Sequence, residues 1–224
     1  MADWNDDGLL NCSCVNFIPK GLFSLAQDLI QCGDVLPVSS RRREPIYTHR
    51  ATFEAEQRIV RSAEILKARA PVFPKTVQEG LTKQALKFGA AEEQASAFAT
   101  ILTGSGLTLL QGAAGTGKTY LTRMVRLALS KQGYRVLGTA PSHKATAGLQ
   151  VEAGFDKGSC RVLAKLLIDI ESGKLELNDR TLIVVDEAGM IGTSDMDRLL
   201  AACAETGARV LLQGDAAQYR PVAA

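Results

Sequence analysis

Residues 112–119 read Gly-Ala-Ala-Gly-Thr-Gly-Lys-Thr, and no other stretch restricts the possible folds so sharply. The octapeptide meets the pattern G-x-x-x-x-G-K-[ST] at every fixed position. Leu107, Leu109 and Leu110 form an apolar run before it, and a helix-like run follows. A strand, a Gly-rich turn and a helix in that order point backbone N–H groups and the positive end of a helix at an anion. The residues expected to cradle a nucleotide are Gly112, Ala113, Ala114, Gly115, Thr116, Gly117, Lys118, Thr119 and Tyr120. Lys118 is expected to reach the β- and γ-phosphates, and the Thr119 hydroxyl to hold Mg²⁺. The plainer alternative, a Gly-rich turn without a ligand, does not account for the strand and helix on either side.

The rest of the chain from about residue 76 alternates between the two periods. Ala91–Leu102 reads as a helix, Leu107–Gln111 as a strand, and Lys118 to about Lys131 as the helix after the loop. Tyr134–Thr139 is expected as a strand, with helices over His143–Gln150 and Val162–Ile170. Thr181–Asp186 is a continuous apolar β run of the kind buried on both faces of a parallel sheet. Ser194 and Asp195 open another helix, and Ala208–Gln213 is the last strand. With the glycine loop, this alternation predicts an α/β fold, a P-loop domain with a parallel sheet flanked by helices and its ligand at the carboxyl ends of the strands.

Three further clusters fall at such strand ends. Asp186 closes the third strand, where an acid can share Mg²⁺ with Thr119, and Glu187 beside it can act as general base toward water. Gly214-Asp215 ends the last strand, and Gln218 follows, an amide suited to sensing the γ-phosphate. Ser142, His143 and Lys144 follow the second strand at a helix N-terminus, a place fit for nucleic acid phosphate. Each cluster taken alone has an ordinary structural explanation: two acids closing a strand, a turn, a Pro-Ser helix cap.

Residues 1–75 are expected to form an N-terminal appendage packed on, or preceding, the main domain, irregular at first and helical from about Thr52, and 76–224 the nucleotide-binding domain. Ala70-Pro71 and Phe73-Pro74 stop the helix. Charge is uneven there: residues 1–40 carry five acids and one base, residues 41–75 nine bases and four acids, starting with Arg41-Arg42-Arg43. A basic stretch of this kind suits either a solvated helix face or nucleic acid. Hydrophobic content of 46% with 22% charged residues excludes a disordered chain. Cys12, Cys14, Cys32, Cys160 and Cys203 show no zinc spacing and are expected as free thiols. With no apolar run of membrane length and an acidic N-terminus, the expected location is the cytoplasm, without membrane contact.

In their order, the four clusters resemble motifs I, Ia, II and III of RecD-like superfamily 1 DNA helicases, over roughly residues 76–224. The segment Gly214-Asp215-x-x-Gln218 with Pro221-Val222 is the most telling part. The lead-in Ile46-Tyr47-Thr48 and Phe53-Glu54-Ala55-Glu56 is similar to the stretch before the helicase part of conjugative relaxases. The resemblance implies the first RecA-like motor domain of a 5′-to-3′ helicase binding ATP, Mg²⁺ and single-stranded DNA, with conjugation or recombination machinery as further partners. It also implies adenine recognition by Gln94, DNA contact by Ser142, His143 and Lys144, and catalytic roles for Lys118, Glu187 and Gln218. Such helicases need a second motor domain, and these 224 residues stop after motif III; the relaxase nuclease needs a histidine cluster, and only His49 and His143 occur. The chain alone is therefore expected not to unwind duplex. The alternatives are another P-loop NTPase or kinase, or a truncated nucleotide-gated DNA-binding module without turnover. A GTPase would carry Asn-Lys-x-Asp, which does not occur.

Overall fold

A computed structural model describes residues 3–4, 10–11, 29–38, 46–113 and 115–215. Ala114, Gln218, Tyr219, Pro221, Val222, Arg41–Arg43, Cys12 and Cys14 thus lie outside the described residues. The chain divides into two compact units, Met1–Glu54 and Ala55–Ala224. In the first, strands β1 (Asp3–Trp4) and β2 (Leu10–Asn11) pair antiparallel, as do β3 (Val35–Val38) and β4 (Ile46–His49). Strands of two and four residues are too short to show an alternating pattern, which is why the sequence reading found none here. Helix α1 (Arg50–Lys67) corresponds to the helix expected from Thr52.

The second unit is built on a five-stranded parallel sheet. Its strands are β5 (Leu107–Gln111), β6 (Arg135–Ala140), β7 (Cys160–Val162), β8 (Thr181–Val185) and β9 (Arg209–Gly214), in the order β5-β9-β8-β6-β7. β8 is buried along its whole length, as a central parallel strand covered on both faces must be. The helices are α2 (Gln78–Lys87), α3 (Glu92–Leu102), α4 (Lys118–Lys131), α5 (His143–Ala153), α6 (Leu163–Glu171) and α7 (Thr193–Thr206).

Alternating strand residues feed two cores. On one face Val136, Leu182, Val184 and Leu211 pack with Phe98 and Leu102 of α3, Leu121, Val125 and Leu129 of α4, and Leu149 of α5. On the other, Leu137, Ile183, Val185 and Val210 pack with Leu166 and Leu167 of α6, Leu199 and Leu200 of α7, and Leu66. The fold is therefore an α/β P-loop architecture of RecA type, helices covering both faces of a parallel sheet. Two elements escaped the sequence reading. Helix α2 buries only Ala85 and carries Gly80 inside it, so its period is faint. Strand β7 is three residues long and runs straight into α6.

Residues 55–67 pack against the sheet. Leu66 is fully buried beneath the second face, and Arg58 pairs with Asp197 of α7 at 2.8 Å. Among the described residues, no helix is long and apolar enough to cross a membrane. Removing the Leu66 side chain by Leu66→Ala should lower unfolding stability by about 2–5 kcal/mol, because the site is closed on all sides. Urea denaturation of both proteins measures this; a loss below about 0.5 kcal/mol would show that the helix does not belong to this core.

Candidate functional site

Strand β5 delivers the chain to the carboxyl edge of the sheet, and the segment from Gly112 to Gly117 turns it into α4. Two glycines of that turn stand at positive φ, Gly115 at 78° and Gly117 at 81°. Side chains rarely adopt this region, so glycine is required at both positions. Gly112 is required for a different reason: a Cβ there would come 2.8 Å from the Thr116 hydroxyl oxygen. The Gly112 N–H donates to the Gly214 carbonyl at 3.1 Å, tying the turn to the end of β9.

Lys118 folds back over this turn. Its ammonium donates to the carbonyls of Gly112 at 2.6 Å and Ala113 at 2.8 Å. Thr116 Oγ1 also donates to the Ala113 carbonyl, at 2.9 Å. Gln94, in the first turn of α3, reaches the same place: its Nε2 donates to the Thr116 carbonyl at 3.1 Å, while its Oε1 accepts from the Ala91 N–H at 3.2 Å. The structure thus brings Gln94, Gly112, Ala113, Thr116, Gly117 and Lys118 together. Thr119 is half-buried in the first turn of α4. Tyr120 donates its hydroxyl to the Phe88 carbonyl at 3.1 Å. With Phe88, Phe98, Met124 and Leu127 it lines a cavity of about 400 Å³ between α2, α3 and α4.

Asp186 and Glu187 follow β8 on the same sheet edge. β9 pairs with both β5 and β8, so β8 lies two strand spacings, about 10 Å, from β5. Asp186 N–H donates to the Thr139 carbonyl at 2.8 Å, and its Oδ1 accepts from the Glu187 N–H at 3.0 Å. Burial pushes the thiol of Cys160 on β7 up to about 11, and the Asp186 carboxylate adds to that shift. Glu187 is left-handed at φ 52°, a conformation costing a non-glycine residue about 1–2 kcal/mol and often found at working sites.

The corner after β6 also lies on this edge. Ser142 caps α5, its Oγ accepting from the Ala145 N–H at 3.1 Å, while Thr146 Oγ1 donates to the Ser142 carbonyl at 2.8 Å. Ser142, His143 and Lys144 are exposed at the helix start.

One polar residue near the site was overlooked in the sequence. Gln213, fully buried on β9, accepts through Oε1 from the Thr122 hydroxyl at 2.8 Å, and its Nε2 has no partner. It links the strand leading to Gly214-Asp215 with the first turns of α4. A glutamine directly after the apolar run Val210-Leu211-Leu212, still within the strand, was the available signal. Thr122→Val should cost about 1–3 kcal/mol by orphaning the Gln213 oxygen, and adding Gln213→Leu should recover part of the loss. Chemical denaturation of both single variants and the double variant measures this, and a neutral Thr122→Val would mean the bond contributes nothing.

The chain matches the family model described as AAA domain over residues 89–224. It is 30% identical over 204 residues to the multifunctional conjugation protein TraI of Escherichia coli strain K12, covering 87% of this chain and 11% of that protein. It is 35% identical over 134 residues to the conjugal transfer protein TraA of Agrobacterium fabrum, covering 60% of this chain and 12% of the relative. It is also 38% identical over 135 residues to the ATP-dependent RecD2 DNA helicase of Deinococcus radiodurans, covering 60% of this chain and 19% of that protein. The chain therefore spans a small part of the length of the relatives it matches. With a parallel sheet, a phosphate-loop turn and acids two strands away on the same edge, it belongs to the AAA domain family as a RecD-like superfamily 1 helicase motor domain of the conjugative relaxase type.

Proposed function

We propose that this chain binds ATP·Mg²⁺ as the first motor domain of a 5′-to-3′ DNA helicase, and that it contacts single-stranded DNA at the corner after β6. The observation that carries the reading is the state of Lys118. Its ammonium sits at the centre of a glycine turn, where it donates to the Gly112 and Ala113 carbonyls; among the described residues it has no other partner and makes no ion pair. A cation kept ready by neutral acceptors suits an anionic ligand, because an ionised phosphate offers a stronger charge-assisted bond than a carbonyl.

Each residue then has a task. Lys118 would neutralise the β- and γ-phosphates, and the loop from Gly112 to Gly117, Ala114 included, would present its N–H groups to them. The Thr119 hydroxyl and the Asp186 carboxylate would hold Mg²⁺, which typically keeps one or two protein oxygens and takes the rest from phosphates and water. Gln94 would recognise adenine, with Tyr120 beside the loop in the first turn of α4. When bound, the nucleotide supplies the phosphoanhydride bond whose hydrolysis drives the motor. Glu187 would orient and deprotonate water, and Gln218 would sense the γ-phosphate. Ser142, His143 and Lys144 would hold DNA phosphate at the start of α5.

The relatives named for conjugation suggest transfer machinery as the setting. Movement along DNA requires two motor domains gripping in turn, and the 204 residues matched to the TraI relative cover only 11% of it. By themselves they are proposed to bind nucleotide without separating strands.

Titration of a fluorescent ATP analogue tests the nucleotide claim. Lys118→Ala removes a charge-assisted contact of about 1.5–3 kcal/mol, so affinity should fall about ten- to hundredfold, with a comparable dependence on Mg²⁺ revealed by chelation. Equal affinity of the parent and Lys118→Ala would overturn the assignment.

A further inference from the structure

The sheet edge opposite the phosphate loop carries a row of arginines that form no ion pair among the described residues. Arg209 opens β9, Arg180 immediately precedes β8, and Arg135 opens β6. These strands are neighbours in the order β9-β8-β6. The Arg135 N–H donates to the Arg180 carbonyl at 2.8 Å, so the backbones of these two exposed residues adjoin at this edge. Arg180 Nη1 would lie 3.4 Å from a Cβ placed on Gly133, and exposed Lys131 stands two residues before that glycine.

The row continues toward β5. Arg209 Nη2 donates to the Ala70 carbonyl at 2.6 Å, and Arg69 Nη2 to the Ala204 carbonyl at 2.9 Å. The Nε of both is buried without a partner. Acids stand at this edge as well. Asp179 borders Gly207, the glycine that Arg69 Nη1 also approaches, and Glu205 lies one residue before the end of α7. Yet Arg69, Arg135, Arg180 and Arg209 form no ion pair among the described residues, whereas Arg58, Arg161 and Arg198 elsewhere do. Positive charge left uncompensated against a protein wall gives a local potential that attracts anions.

We propose that this edge is a second nucleic acid contact, holding the phosphate backbone of a strand away from the nucleotide loop. The arrangement favours a linear polyanion over a small anion, because the cations are strung along the strand starts and do not converge on one point. The starts of β9, β8 and β6 span about 10 Å, matching about three phosphates of a stacked strand at ~3.4 Å each. The five residues of β5 separate this edge from the loop by about 16 Å. A strand held here would leave the loop and the Ser142 corner free. The inference rests on reading the chain as a DNA motor domain.

The test measures anisotropy of a labelled oligo-dT over a series of salt concentrations, for the parent chain, Arg135→Ala/Arg180→Ala and Lys144→Ala. The fluorescent ATP analogue is titrated against the same proteins. Each single-strand phosphate contact contributes about 0.7 to the slope of log affinity against log salt, so the double variant should lose about 1.4 from that slope while binding the ATP analogue like the parent. An unchanged slope in a double variant that still binds the analogue overturns this inference alone. Failure of the parent to bind the analogue overturns the motor-domain reading instead. Should poly-glutamate displace the oligo-dT from the parent more effectively than unlabelled oligo-dT does, the row would belong to an acidic protein segment and the proposal would fall.

Discussion

The parallel pairing of β5 with β9 is the contact on which the site depends. It runs in register from Leu107 opposite Val210 to Gln111 opposite Gly214, and the Gly112 N–H extends it by one more bond to the Gly214 carbonyl. Two segments about a hundred positions apart in sequence thereby leave the sheet side by side. One becomes the glycine turn, the other Gly214-Asp215. Without that register, Lys118 could still fold over its own turn, but the turn would not face the end of β9. Buried apolar residues on both faces hold the register, because a shift of one position would exchange Leu211 and Val210 between the two cores.

Most of this architecture was legible in the sequence because its elements are long and sharply patterned. Thr181–Val185 could hardly be anything but a central strand, and the helix after the loop begins at Lys118 as expected. What escaped notice lacked pattern for physical reasons. β7 has three residues and α2 buries only Ala85; such segments are fixed by what they pack against, not by their own period. Residues 55–67 carried a helical pattern, but the sequence does not show that Leu66 and Ile59 pack into the second core.

The site was legible unevenly. The glycine at 117 follows from the pattern, since the turn needs positive φ there, whereas Gly115 meets the same need at a position the pattern leaves free. The reach of Gln94 to the Thr116 carbonyl could be expected only through resemblance, because twenty-two positions separate the two residues. The left-handed conformation of Glu187 was not readable at all, as nothing in Val-Val-Asp-Glu-Ala announces it. Gln213 shows the opposite case: a visible anomaly in an apolar strand whose partner, Thr122, lies ninety-one positions away. Local sequence reports backbone demands well and long-range polar partners poorly, since partners are chosen by the sheet order.

The central claim is that the Lys118 ammonium is held by its own turn in readiness for phosphate. A crystal structure of the chain with Mg²⁺ and a non-hydrolysable ATP analogue tests it most directly. The account expects Lys118 Nζ to have left the Gly112 and Ala113 carbonyls, now 2.6 and 2.8 Å away, for the β- and γ-phosphate oxygens, with Thr119 and Asp186 turned toward the metal. A bound analogue whose phosphates lie elsewhere, with Nζ still on both carbonyls, would contradict it.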